Sequence, residues 1–306
     1  MKAGEITAKE VKALLGAHRR RSDAHKGDFG RVLIVAGSPG MAGAAVLCAR
    51  AALRAGSGLV TVSIDEALWP IVQTAVPEAM CTGRGSGLDL AAYDAAAVGP
   101  GLGTGEAARA LVARVLATCG GKPLVLDADA LNILAASDEV PLPGAGAVLT
   151  PHPGEAARLL AGAGGPDGPW RTAADVQKDR LGALAALQGK YGAATVVLKG
   201  AGTLVASEAS GTAAPEARVN TTGNPGMATG GSGDVLTGVI ASLLGQGFAP
   251  GEAAAAGVYL HGLAGDLAAA ELGEAGVTAG DIALYIAYAM VEAGCPSAGR
   301  RKGVRT

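Results

Sequence analysis

Short apolar runs, each followed by a glycine-rich loop and then by a segment of helical periodicity, recur along this 306-residue chain. Arg31–Ala36, RVLIVA, is apolar and β-branched, the pattern of a buried strand. GSPGMAG follows, and Ala44–Ala55 then spaces Val46, Leu47 and Leu53 as a helix would. Leu59–Ile64 completes a strand–helix–strand unit. The pattern returns as strand Ala95–Val98, loop GPGLGTG and helix Glu106–Cys119. Next come strand Leu124–Asp127 with Asp129 as N-cap of a helix, and strand Ala147–Thr150 running into PHPGE, where Glu155 opens a helix through Leu160. Ala161–Pro169 reads as a surface loop and Ala173–Tyr191 as one helix, followed by strand Thr195–Leu198, the turn KGAGT and strand Leu204–Ser207. Helices Glu252–Leu272 and Thr278–Glu292 end the pattern, and the tail GRRKGVRT is expected to be disordered. Strands separated by helices pair in parallel through right-handed crossovers. The expected fold class is therefore α/β, a central mainly parallel sheet with helices on both faces. One domain spans 1–306 with its core at about residues 10–292. The glycine loops, Asp127 and His152 all fall at strand C-terminal ends, where open α/β sheets bind ligands.

Asn220–Leu244 concentrates this chemistry. Six glycines lie in the sixteen residues from Gly223 to Gly238, and an apolar helix begins at once with Val235, Leu236, Val239, Ile240 and Leu243. The first turn of a helix has unpaired N–H groups and a partial positive charge, which suit an anion. Asp234 at this junction reads either as a helix cap or as a base facing a bound anion.

Composition narrows the function classes. Gly supplies 49 residues, roughly double ordinary usage, without a repeating period. A net charge of −2 and a pI near 6.1 argue against a nucleic-acid partner. The four cysteines show no CxxC spacing, so neither a zinc site nor a disulfide framework is indicated. MKAGEITAKEVKALL, with a helix from Thr7 to Leu15, is unlike a signal peptide, and no apolar run is long enough to span a membrane. A cytoplasmic location follows as the default. The connector HRRRSDAHKGDFG is either a solvated loop or a phosphate contact. The loop glycines at 37, 40 and 43 are spaced GxxGxxG, and no acidic residue ends the second strand in the expected register, so the dinucleotide fingerprint is incomplete. No GxxxxGKS/T string is present, so a nucleotide would be held differently from a P-loop enzyme.

GSGD leading into a helix, in an α/β chain without a P-loop, resembles the ribokinase-like superfamily. HKGDFGRVLIVAGSPGMAGAA, AAVGPGLGTGE, LDADALN, LTPHPGE, LKGAGT and NPGMATGGSGDVLTG, in that order, together resemble the ADP-dependent NAD(P)H-hydrate dehydratases over roughly residues 10 to 292. The resemblance implies repair of hydrated nicotinamide cofactors: the ring hydroxyl of the S-form hydrate is phosphorylated and lost as phosphate, with ADP converted to AMP and Mg²⁺ present. It implies that Asp234 is catalytic and that the hydrate lies against Ala44, Gly103, His152 and Asp234. It places the nucleotide on Lys199, Gly200, Ala201, Gly202, Thr203 and Gly233, with Asp127 and Asn132 near its phosphates or Mg²⁺. No protein metal-ligand set is assigned, and His261 reads as structural. The resemblance favours a homo-oligomer, a tetramer. Many relatives carry a preceding epimerase domain; only some thirty residues precede the first strand here, so a separate epimerase is expected. Two other readings share the fold: a ribokinase-like kinase of a small hydroxylated metabolite, and a non-catalytic nucleotide sensor, which would lack the Asp234 of GSGD.

Overall fold

The computed structural model describes residues 3–18, 20–85, 88–137, 139–161, 168–192, 194–207 and 217–295. In chain order these form β1 (Ala3–Glu5), α1 (Ala8–Ala17), β2 (Arg31–Val35), α2 (Ala42–Arg54), β3 (Leu59–Ser63), α3 (Trp69–Ala75) and β4 (Met80–Thr82). There follow β5 (Ala95–Val98), α4 (Glu106–Thr118), β6 (Leu124–Leu126), α5 (Asp129–Ala136), β7 (Ala147–Leu149) and α6 (Pro153–Leu160). The rest comprises α7 (Ala173–Lys178), α8 (Arg180–Tyr191), β8 (Thr195–Leu198), β9 (Leu204–Ala206), β10 (Ala217–Val219), α9 (Ser232–Gly245), α10 (Pro250–Leu272) and α11 (Ala279–Glu292).

The strands make one ten-stranded sheet in the order β1-β10-β9-β8-β7-β6-β5-β2-β3-β4. Only β9 runs against its neighbours; the other pairs are parallel. Both faces are covered, as a parallel sheet requires. Within β2 the alternation of side chains sends Val32 and Ile34 to a layer built with α1, α2, α9, α10 and α11. Leu33 and Val35 point the other way, to α4, α5, α6 and α8.

Several expectations are corrected. β1, α3, β4 and β10 carry no motif and were not anticipated; β1 is paired only with β10, and its register is set by Ala3 opposite Ala217. The segment read as one helix from Ala173 to Tyr191 is two, broken at Asp179 (φ −136°, ψ 67°), whose carboxylate caps α8 through Gly182 N–H. Asp129 is not an N-cap but the first residue of α5, and Ala128 holds the capping place with a left-handed φ of 50°. In the basic connector, Arg20 bonds the Gly56 carbonyl and lies over Phe29, while His18 stacks on Phe248. These residues sit by the C-terminal end of α9, away from its glycine-rich start. The tail from 299 onward and residues 162–167 of the expected surface loop lie outside the described residues. No helix among the described residues is long and apolar enough to cross a membrane.

α9 lies tight against α2 at Gly238, where a Cβ would run into the Cys48 carbonyl. Gly238→Ala is therefore expected to destabilise the fold by about 1–3 kcal/mol, the usual range for overpacking, despite Ala's better helix propensity. A urea midpoint equal to wild type would show that the helices do not pack this tightly.

Candidate active site

The site is assembled from strand ends and one helix start. β6 ends immediately before Asp127, which is buried, and β8 immediately before Lys199. Lys199 Nζ donates to Asp127 Oδ1 at 2.6 Å and lies 3.8 Å from Glu155 Oε2. The other Asp127 oxygen accepts from Thr237 Oγ1 at 2.8 Å. Strand ends and α9 are thus cross-linked by one carboxylate. The left-handed φ of Ala128 is a strained conformation for a residue with a side chain. It separates two acids with different tasks: Asp127 turns to Lys199, and Asp129 Oδ2 accepts from Gly103 N–H at 2.8 Å.

α9 begins after Gly231, which has φ 91°; a Cβ there would collide with Leu47 of α2. Gly233, in the first turn, is bare: a Cβ would meet Lys199 Nζ at 3.3 Å and Asp127 Oδ2 at 3.6 Å. The Lys199 ammonium therefore stands against the positive start of the helix. Burial disfavours its charge, but Asp127, Glu155 and Asp234 outweigh this, and its pKa lies above the usual lysine value.

Asp234 occupies the same turn but does not cap it; its carboxylate makes no hydrogen bond among the described residues. Burial, reinforced by the negative charges of Asp127, Asp129 and Glu155 and opposed by Lys199, pushes its pKa up to about 7. A half-buried acid without a partner, poised near neutral pH, is suited to accept a proton.

His152 is the N-cap of α6, its Nδ1 accepting from Gly154 N–H at 3.0 Å and Glu155 N–H at 3.4 Å. Glu155 Oε2 in return accepts from His152 N–H at 2.8 Å. Burial and the nearby Lys199 and Arg158 hold the imidazole pKa below its usual value. Burial raises that of Glu155.

A cavity of about 840 Å³ opens beside this junction. Its walls include His152, Lys199–Thr203 and Gly233, so all six residues expected at the nucleotide share one space. Ala44, Gly103 and Asp234 are not in its wall. Ala44 instead packs near Gly101, where a Cβ would lie 3.0 Å from Ala44 Cβ, and Gly103 is held by Asp129. The helix start is thus flanked by the cavity on one side and by the GSPGMAG and GPGLGTG loops on the other. Asn132 is engaged by Arg158, whose Nε donates to Oδ1 at 2.8 Å.

The opening of the Asn220–Leu244 stretch, Asn220–Pro225, also lines the cavity, a role that sequence reasoning did not assign to it. Asn220 and Thr222 bond the α10 carbonyls of Val258 and Tyr259, and Asp266 accepts from Gly223 N–H and Asn224 Nδ2, both at 2.9 Å. An aspartate in the middle of a mainly apolar helix was the available signal. His261, read as structural, lines the cavity with Nε2 3.3 Å from Ser232 Oγ; burial lowers its pKa to about 4, so it is neutral. Among the described residues no group of three or more His, Cys, Asp or Glu could hold a metal. The carboxylates around Lys199 are nonetheless hard oxygen donors of the type that, one or two at a time, hold Mg²⁺ together with phosphates.

The family model for NAD(P)H-hydrate dehydratase matches residues 32–287. The ADP-dependent (S)-NAD(P)H-hydrate dehydratase of Neisseria meningitidis is 46% identical, over 86% of this chain and 86% of its own length. The bifunctional NAD(P)H-hydrate repair enzyme of Moorella thermoacetica is 45% identical over 89% of this chain and 51% of its own length; the chain spans about half the length of the bifunctional relatives it matches. The crystal structure of the ADP/ATP-dependent NAD(P)H-hydrate dehydratase from Bacillus subtilis, co-crystallised with ATP/Mg²⁺, superposes with a TM-score of 0.80 at 30% identity, covering 96% of this chain and 99% of that one. The fold is ribokinase-like, and the chain belongs to the NAD(P)H-hydrate dehydratase family.

Proposed function

We propose that this protein dehydrates (S)-NADH-hydrate and (S)-NADPH-hydrate to NADH and NADPH, converting ADP to AMP and phosphate. The observation that carries this reading is the start of α9. There an anion-receptive helix end, the Lys199 ammonium and a carboxylate of pKa about 7 meet beside a nucleotide-sized cavity. In this reading the nucleotide lies along Lys199–Thr203 with its phosphates toward Gly233. The hydrate approaches from the side of Ala44 and Gly103, with His152 at the boundary. Asp234 takes the proton of the ring hydroxyl as its oxygen bonds the β-phosphorus of ADP and the bond to AMP breaks. The ring carbon–oxygen bond then breaks, releasing phosphate, and the neighbouring ring carbon gives up a proton to solvent as the C=C bond of the reduced ring forms. Lys199 and the free N–H groups of the first turn of α9 hold the charge that accumulates on the phosphate oxygens. Mg²⁺ bound with the nucleotide, with Asp127 or Glu155 as protein-side oxygens, would neutralise part of that charge. The relatives' names support ADP and leave ATP as a second donor. The reading includes a cytoplasmic homotetramer, and the exposed apolar residues Leu284, Tyr288 and Val291 on one stripe of α11 support self-association.

Purified protein given hydrated NADH with ADP should restore the absorbance of the reduced ring. A phosphorylated product without that recovery would identify a kinase instead.

Gly233→Val puts a branched side chain against Lys199 Nζ, where a phosphate would approach. Calorimetry should show AMP affinity collapsing, and unchanged binding by a folded variant would move the nucleotide elsewhere.

Asp234→Asn removes the proton acceptor, so turnover should fall at least ~10²-fold. For the wild type, kcat/KM should rise with pH through about 7 as Asp234 ionises. Stability follows the opposite sign. The folded pKa exceeds the unfolded one, so the native state loses stability as pH rises from about 4 to 7. Asp234→Asn escapes that loss and should match or exceed the wild-type melting temperature above pH 7. A variant that retains turnover, or melts lower at every pH, would make Asp234 a structural residue.

A further inference from the structure

Arg180 begins α8, immediately after the break at Asp179, and its guanidinium reaches beneath the turn joining β8 to β9. It donates to the Leu198 carbonyl at 3.0 Å and the Lys199 carbonyl at 3.4 Å, and also to the Ala201 carbonyl. Among the described residues no carboxylate pairs with it, and its Nε–H is sealed from water without an acceptor. A half-buried cation balanced only by carbonyl dipoles is a costly way to pack a helix on a hairpin. An apolar side chain would do that at less expense, so the guanidinium answers a more specific need.

That need is legible in the peptide planes. In a trans peptide the C=O and N–H point in opposite directions. Arg180 holds the carbonyls of Lys199 and Ala201 toward itself, so the N–H groups of Gly200 and Gly202 point away from it. Both glycines line the cavity, and neither N–H has a hydrogen-bond partner among the described residues. The intervening Gly200 carbonyl is taken by the Thr203 hydroxyl at 2.9 Å, which fixes the peptide between the other two. The result is a pair of backbone donors aimed into the cavity, with a cation behind them that strengthens their polarity.

We propose that Arg180 is the positioning residue of the nucleotide turn. It presents the N–H groups of Gly200 and Gly202 as paired donors to the phosphate of an adenine nucleotide. This rests on the nucleotide site described under the proposed function. Arg180 touches no ligand itself. It acts through the turn, so its loss should be felt in nucleotide binding before it is felt in the chemistry.

The full chain is titrated calorimetrically with adenosine, AMP and ADP, as wild type, Arg180→Met and Arg180→Lys. Arg180→Met should weaken AMP and ADP ~10–100-fold, the scale of lost charge-assisted bonds, and change adenosine by less than ~3-fold. Arg180→Lys, which keeps the charge but not the fork, should fall between. KM for ADP should rise while kcat and KM for the hydrate stay near wild type. Wild-type AMP affinity in Arg180→Met, or equal losses for adenosine and AMP, would overturn the inference and leave a packing role. A wild type that binds none of the three would overturn the functional reading, and this inference with it. If Arg180→Met does not fold, amide exchange on the wild type decides: AMP should slow exchange at Gly200 and Gly202, and unchanged exchange there overturns the proposal.

Discussion

The buried pair between Lys199 and Asp127 ties the site together. Three elements are joined by it: the end of β8 through Lys199, the end of β6 through Asp127, and α9 through Thr237. Such a pair is poor evidence for stability, since the desolvation of two charges consumes most of their attraction. Its effect is geometric. With both oxygens of Asp127 engaged, the carboxylate cannot rotate, and the ammonium is pinned at the start of α9. The strained Ala128 is intelligible in the same terms. An ordinary φ there would turn Asp127 and Asp129 differently and release either Lys199 or Gly103. Strain of this type costs on the order of 1–3 kcal/mol and persists only where the surroundings over-determine it.

The electrostatic consequence reaches Asp234. A helix N-terminus ordinarily favours a carboxylate's ionised form. Here burial and three neighbouring acids prevail over that dipole and over Lys199, and the pKa rises to about 7. Had Asp234 been a cap, accepting backbone N–H bonds, its pKa would have moved down. Freedom from capping and an elevated pKa are therefore two aspects of one arrangement. The cap position has gone to Gly231, whose left-handed backbone leaves no side chain to compete for the helix start. The N–H groups of Gly233 and Asp234 stay open and Asp234 stays basic, both of which a phosphoryl acceptor site needs.

How much of this was legible in the sequence depended on the signal each part carries. The parallel sheet, the helices on both faces and the shared edge of the loops followed from periodicity and glycine placement, because burial on both faces forces apolar strands and short loops. β4 and β10 are three-residue strands near the sheet edges with no periodicity to detect, and β1 pairs only with β10 in the sheet. The turn Lys199–Thr203 was recognisable as a string, but nothing local marked Arg180, whose role depends on a helix folding back beneath that turn. Thr237 likewise reads as one helical residue among many until Asp127 is brought to it. The cavity wall Asn220–Pro225 was visible as a polar loop. Its anchorage to Asp266 is a contact across more than forty positions, which no local pattern reports. The separation of Ala44 and Gly103 from the nucleotide cavity was also invisible, since motifs at one sheet edge need not face one space.

The sequence reading of α9 as an apolar run through Val235, Leu236, Val239, Ile240 and Leu243 understated it. Every residue from Val235 to Leu244 is buried, including Thr237, Gly238 and Ser242. A helix apolar all round belongs inside a core, and this one packs against α2, α10, α11 and the sheet. Its neighbours leave no direction in which it can slide: the missing Cβ of Gly238 seats it on the α2 backbone, and Ser242 is bonded to Ser57 at 2.8 Å. The position of its first turn is accordingly set by the packing of ten residues behind it. Loops commonly carry catalytic groups and owe their precision to a rigid scaffold. Here the scaffold is the remainder of the same helix, and a methyl group added at Gly238 would act on the geometry of Gly233 and Asp234 more than one turn away.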